Sequence, residues 1–202
     1  MIQVYQKSLM DLDDPQSFRK EARDFLVQCL AQFLGATIES LALEHLPSGR
    51  PVLRNHPDLS FSLSHSDTAV AVACSRIFNV GIDIQHVSPF NENLFKRICA
   101  PQELQKITQK DAQSFYYFWT IKEAAMKCIG LGFQYPMNKI EIDSSTGKIH
   151  LLEKKEYSMA LNYHWDHLEF AEFKAPANFR GHVVWAVHPE HANYKANFSL
   201  RA

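Results

Sequence analysis

Apolar residues recur at helical spacing from Phe18 onward. Phe18, Ala22, Phe25, Leu26, Cys29, Leu30 and Phe33 share one side of an amphipathic helix reaching Leu34, and Gly35 ends it. Turn signals follow at Pro47, Ser48, Gly49, Pro51 and Pro57, and then a strand-like run from Leu59 to Ser64. Thr68 to Cys74, rich in Val and Ala, reads as a buried strand, and a turn at Arg76 to Asn79 leads into a third strand, Val80 to Gln85. From Ser88 the pattern turns helical, with a short helix over Asn91 to Ile98 and another opened by Pro101-Gln102-Glu103. The longest helix is predicted from about Ala112 to Ile129, ending at Gly130. Ile140 to Asp143 and Lys148 to Leu152 flank Ser144-Ser145-Thr146-Gly147 as a hairpin, and His182 to His188 is the last predicted strand.

Each half therefore places helical material before short strands, and the runs TAVAVAC and GHVVWAVH are alike in texture. The fold class expected is α+β, with two pseudo-symmetric lobes, residues 1–87 and 88–202, each a small antiparallel sheet packed with helices. The 202 residues are 46% hydrophobic, enough for a sizeable core, and the formal net charge of −1 argues against a nucleic-acid surface. Any phosphorylated ligand must be held by local basic residues. Cys29, Cys74, Cys99 and Cys128 form no CxxC pair and read as free thiols. The N-terminal MIQVYQKSLMDLDD lacks a charged-then-apolar signal pattern, and Ala69 to Cys74 is the longest apolar run. The expectation is a cytoplasmic protein without a membrane partner.

Four clusters could carry chemistry. In the strand Val80 to Gln85, alternation puts Val80, Ile82 and Ile84 on the core side and Gly81, Asp83 and Gln85 on the other. That arrangement suits either a rigid site or an ordinary solvent face. In the long helix, Phe115, Phe118, Trp119, Met126 and Ile129 gather on one face, with Lys122 inside the stripe and Glu123 at its edge, one turn before Lys127. A lysine within an apolar stripe marks a functional position or a snorkelling stem, and Glu123 with Lys127 fits a site or a surface pair. Gly49-Arg50-Pro51 followed by Phe61-Ser62-Leu63-Ser64-His65-Ser66 offers hydroxyls, an imidazole and a guanidinium for phosphate oxygens. No Gly-x-Ser-x-Gly elbow supports a serine hydrolase. His164-Trp165-Asp166-His167 has metal-capable side chains, but no further ligand is tied to it by spacing.

Taken together, GRP, then FSLSHS before a VGIDI strand, then FWTIKEAAMKCIGLGF resemble the Sfp-type 4′-phosphopantetheinyl transferases. The last element is similar to the family's W-(S/T)-x-K-E-x-x-x-K pattern at Trp119, Thr120, Lys122, Glu123 and Lys127, and the resemblance covers residues 49–136. It implies two α+β lobes with the active site between them, acting as a monomer on coenzyme A and an apo acyl or peptidyl carrier protein and releasing 3′,5′-ADP. It implies Mg2+ held by Asp83 and Glu123, with Gln85 at the position where many relatives carry a second acid. By the same resemblance Glu123 is the base, Lys127 neutralises phosphate charge and Lys122 assists from within the site. Arg50, Ser64 and His65 hold the nucleotide's phosphates, His65 at the 3′-phosphate. Arg19 and Arg23 are candidates for the adenosine end, and Ile129, Leu131 and Phe133 for contact with the carrier. The alternatives are a catalytically silent module that binds coenzyme A or a carrier, and a hydrolase of pyrophosphate esters.

Overall fold

The computed structural model describes residues 1–9, 14–46, 49–153, 168–186 and 197–201. The turn signals Pro47 and Ser48, the cluster at 164–167 and the expected strand end at 187–188 lie outside the described residues. The chain begins with β1 (Ile2–Ser8), a strand not anticipated from its Gln- and Lys-interrupted pattern, and continues into α1 (Pro15–Leu34). This helix starts three residues before the expected Phe18. Asp14 caps it, its carboxylate accepting the backbone N–H groups of Gln16 and Ser17 at 2.7 and 2.9 Å, and proline takes the first helical position.

A small hairpin, β2 (Leu43–His45) with β3 (Pro51–Leu53), precedes β4 (Ser60–Ser66), β5 (Ala69–Ser75) and β6 (Asn79–His86). Short helices α2 (Phe95–Ile98) and α3 (Pro101–Lys106) lead to α4 (Ala112–Ile129), which has the predicted bounds. The hairpin β7 (Ile140–Asp143) and β8 (Lys148–Leu151) is followed by β9 (Leu168–Glu172), β10 (Phe179–Ala186) and β11 (Phe198–Arg201).

Two sheets result. The first runs β11–β1–β5–β4, with β11 parallel to β1 and the remaining pairs antiparallel. The second, β6–β10–β9–β8–β7, is antiparallel throughout. Membership of these sheets crosses residue 88, because β6 joins the second sheet through β10 and β11 joins the first through β1. The repeated texture has a structural counterpart: β5 and β10 are each the neighbour of the edge strand at which the two sheets meet.

The core is layered as helix, sheet, sheet, helix. In β5, Val72 and Cys74 pack with Tyr5, Leu26, Cys29 and Leu30 beneath α1. Ala69, Ala71 and Ala73 face the other way, onto Val80, Ile82 and Ile84 of β6 and Val183 and Trp185 of β10. Alanine at alternate positions lets the sheets approach closely. On the outer side of the second sheet, α4 supplies Phe115, Ile121, Ala124, Ala125 and Cys128 to a third cluster with Ile140, Leu168 and Val184.

The meeting of β4 and β6 is not an ordinary ladder. Ser60, Ser62, Ser64 and Ser66 accept, through their hydroxyls, the backbone N–H groups of Val80, Ile82, Ile84 and His86 at 3.0, 3.2, 3.3 and 3.1 Å. A constant offset of two residues along both strands makes this a seam in which side-chain oxygens replace carbonyls. It satisfies N–H groups that would otherwise be buried unpaired.

Gly81 sets the distance of α4 from β6. A Cβ at this position would lie 2.0 Å from the Ala124 carbonyl oxygen and 2.5 Å from the Cys128 nitrogen, both backbone atoms that cannot swing aside. Gly81→Ala is expected to destabilise the protein by about 3 kcal/mol, from overpacking. Urea unfolding followed by circular dichroism checks this, and a midpoint unchanged from the parent would show that the helix can retreat.

Candidate active site

Side-chain alternation sends Gly81 and Asp83 of β6 toward α4, while Val80, Ile82 and Ile84 enter the inter-sheet core. Because the glycine draws the helix in, Asp83 lies fully buried beside the α4 residues that follow the apolar stripe. Its Oδ1 accepts from the Ser64 hydroxyl at 2.6 Å and from Lys127 Nζ at 2.8 Å. Lys127 also donates to the Ile82 carbonyl at 3.1 Å, so its ammonium ties α4 to two neighbouring residues of β6. The amide nitrogen of Gln85 stands 3.3 Å from Oδ2 of Asp83.

Glu123, one turn before Lys127, is half-buried. Burial first, and then the charge of Asp83, raise its carboxyl above the ordinary value, while Lys127 opposes them. Two carboxylates within each other's field, with an amide beside them, fit a hard divalent cation, which would relieve the repulsion between them. Among the described residues there is no group of three or more His, Cys, Asp or Glu able to hold a metal. Magnesium is nonetheless commonly held by one or two carboxylates together with a ligand's phosphates.

The basic residues gather nearby. His65, with the edge of its ring against Phe18 at a centroid distance of 5.3 Å, is held below its ordinary value by desolvation and by Lys127 and Arg19, with Asp83 opposing. Arg19 is thus within the electrostatic reach of the group. Arg50 lines a cavity of about 410 Å³ with Lys127, Ser62, Phe61 and Gly130. Gly130 caps α4 at φ 76, and an added Cβ there would come within 3.0 Å of the Arg50 guanidinium. The structure therefore brings together Asp83, Gln85, Glu123, Lys127, Ser64 and His65, with Arg50 in the adjoining cavity.

Lys122 does not join them. Its ammonium is fully buried on the other side of α4, where it donates to Glu103 Oε2 at 2.6 Å and to the carbonyls of Met137 and Ile140. All three of its protons are used, so the expectation that it assists a phosphate is replaced by a structural role. Glu103 is equally engaged, accepting from the backbone nitrogens of Ala100 at 2.6 Å and Ile142 at 2.8 Å. Burial pushes the Lys122 ammonium down, and Glu103 resists the shift. Ile129 likewise belongs to the core, which removes it from the expected carrier contacts, and Leu131 is half-buried against the same cluster. The side chain of Phe133 is outside the described set.

Two contributors were not foreseen. The serines of β4 are one, and their period of two in SFSLSHS was the available signal. The other is His182, the β10 residue directly opposite Asp83. The Thr120 hydroxyl donates to the Tyr116 carbonyl at 2.7 Å, so His182 donates from Nδ1 to Thr120 Oγ1, also at 2.7 Å. Its Nε2 is buried with no hydrogen-bond partner among the described residues, and burial, then Arg180, push the imidazole down to about 3. No sequence pattern marked this residue.

The site is thus a carboxylate pair flanked by a lysine, at the meeting of two small sheets of an α+β protein. The model of the 4′-phosphopantetheinyl transferase superfamily matches residues 79–184, and the chain belongs to that family. It is 31% identical over 105 residues to 4′-phosphopantetheinyl transferase psf-1 of Bacillus pumilus, covering 50% of this chain and 45% of that one. With 4′-phosphopantetheinyl transferase gsp of Aneurinibacillus migulanus it shares 32% identity over 133 residues, 63% of this chain and 55% of the relative. The chain spans about half the length of the curated relatives it matches. A holo-ACP-synthase from Plasmodium yoelii aligns with a TM-score of 0.43 and 23% identity, over 55% of this chain and 95% of that one.

Two stability measurements probe the surroundings of the site. Lys122→Met leaves the Glu103 carboxylate buried without its cation and is expected to cost about 3–5 kcal/mol in urea unfolding. Lys122→Met combined with Glu103→Gln, which removes the stranded charge but keeps an acceptor for the backbone N–H groups, should recover part of that loss, and a pair no better than the single change would contradict the assignment. His182 lies below its unfolded value of about 6.5, so between that pH and about 3 the unfolded chain binds the proton and the folded chain does not. The stability it contributes is present above that range and declines as the pH falls through it. His182→Phe is expected to flatten the acid limb of the stability profile relative to the parent. Parallel profiles would show that the imidazole takes up its proton over the same pH range in the folded and unfolded chain.

Proposed function

We propose that the chain transfers the 4′-phosphopantetheine group of coenzyme A to a serine of an apo acyl or peptidyl carrier protein, releasing 3′,5′-ADP. The observation that carries this is the convergence of Asp83, Glu123 and Lys127 where Gly81 brings α4 against β6, inside the segment that matches the family. When bound by Asp83 and Glu123, with Gln85 beside them, Mg2+ would neutralise the charge of the pyrophosphate and fix its orientation.

The protein's own groups account for the remaining requirements. Glu123, raised by burial and by its acidic neighbour, is suited to take the proton of the incoming serine. The serine oxygen then forms a bond to the phosphorus nearer the pantetheine, and the bond from that phosphorus to the bridging oxygen breaks. The electron pair stays on 3′,5′-ADP, where Lys127 supplies positive charge. Arg50 in the adjoining cavity and His65 near Arg19 are placed to hold the remaining phosphates. A cytoplasmic monomer is the setting proposed.

Incubation with coenzyme A, Mg2+ and a panel of apo carriers, read by the mass of the intact carrier, tests the reading. A gain of the phosphopantetheine arm is expected. Release of phosphopantetheine without a carrier would indicate a hydrolase, and no reaction with any carrier or divalent metal would leave a binding module. In the same assay Glu123→Gln should lower turnover at least a hundredfold, the lower end of what a general base contributes. Near-parental turnover would remove Glu123 from the reaction.

A further inference from the structure

We propose that Ser64 is the positioning residue that aims Asp83, holding one carboxylate oxygen against the seam so that the other faces the cation. The proposal rests on the function just given, but it concerns a different hydroxyl role from phosphate binding.

The four seam serines are equivalent toward β6, each accepting one backbone N–H. Ser64 alone among them also makes a hydrogen bond to a carboxylate, donating to Asp83 Oδ1 at 2.6 Å. A serine hydroxyl has one proton and two lone pairs. The Asp83 contact takes the proton, and the Ile84 N–H occupies a lone pair at 3.3 Å. Ser64 is also 5% exposed, so its hydroxyl is locked between the two strands with its donor spent.

The consequence falls on Asp83. Oδ1 is held from two directions, by Ser64 and by Lys127, which fixes the carboxylate's rotation. Among the described residues, Oδ2 meets the terminal amide of Gln85, at 3.3 Å, and is the oxygen left for a metal. Lys127 comes from a partly exposed side chain and can follow a moving carboxylate. Ser64 comes from the interior of a strand and cannot. Without its hydroxyl, Asp83 retains charge but loses direction.

Ser64→Thr and Ser64→Val have nearly the same shape and differ in the hydroxyl, so any packing cost of the added methyl is common to both. Ser60→Ala removes an equivalent seam acceptor, the one for Val80, without touching Asp83 or the cavity lined by Arg50. Mn2+ affinity, read as free ion by electron paramagnetic resonance with coenzyme A present, should be about tenfold weaker in Ser64→Val than in Ser64→Thr, the size of one hydrogen bond to a charged group. Ser60→Ala should bind Mn2+ like the parent, although it loses thermal stability.

Equal affinities in the Thr and Val variants would overturn the proposal, as would a loss in Ser60→Ala matching that in Ser64→Val. Transfer to a carrier, measured alongside, separates the two readings. A parent that transfers the group while Thr and Val bind Mn2+ alike defeats the role of Ser64 alone. A parent that transfers nothing while the Val variant loses Mn2+ defeats the transferase and supports Ser64. A parent that binds no Mn2+ defeats both.

Discussion

At Gly81 the backbone of α4 rests on the backbone of β6 with no side chain between them, and the candidate site follows from that contact. Gly81 permits it, since any larger residue would drive a carbon into the carbonyl of Ala124. Two residues along the strand, the same approach buries Asp83 under the helix. One turn along the helix, it brings Glu123 and Lys127 to that carboxylate. Charge that would ordinarily remain in water is forced together in a half-dry seam, where electrostatic interactions are stronger. Burial, and then the charge of Asp83, accordingly raise the Glu123 carboxyl.

The seam between the sheets contributes the second constraint. Two sheet edges meet there without sharing a ladder, and serine hydroxyls, together with the Lys127 ammonium, take the places of backbone groups. Such bonds have a net worth of about 1 kcal/mol each, so the seam is held as much by the apolar layer behind it as by its own polarity. That layer places Ala69, Ala71 and Ala73 against Val80, Ile82 and Ile84. On the far side of α4, the buried Lys122–Glu103 pair fastens the helix to the segment around Met137 to Ile142. The helix is thus secured from both sides, by a glycine contact and by an ion pair.

Much of this was legible beforehand, for identifiable reasons. The bounds of α4 could be read because its apolar spacing is sustained and a glycine ends it in the left-handed region. The alternation in β6 correctly separated the core side from the side bearing Asp83. β1 and β9 went unread because each is short and interrupted by charged or amide residues. Lys122 was misplaced for a different reason. Its position inside the apolar stripe signalled an unusual environment, but nothing local revealed that Glu103, nineteen residues earlier, was its partner. The serines of β4 suggested phosphate chemistry, whereas their regular spacing reflected the next strand's need for acceptors. Pairings across the fold, rather than periodicities within a segment, were the part hidden from the sequence.

The central claim is that residues 83 and 123 address one ion. Loading the protein with Fe2+ in place of Mg2+ and generating hydroxyl radicals with ascorbate and peroxide cuts the backbone beside the bound metal. The account predicts breaks in both β6 near Asp83 and α4 near Glu123, suppressed together by excess Mg2+. Breaks confined to one of the two segments, or indifferent to Mg2+, would contradict it.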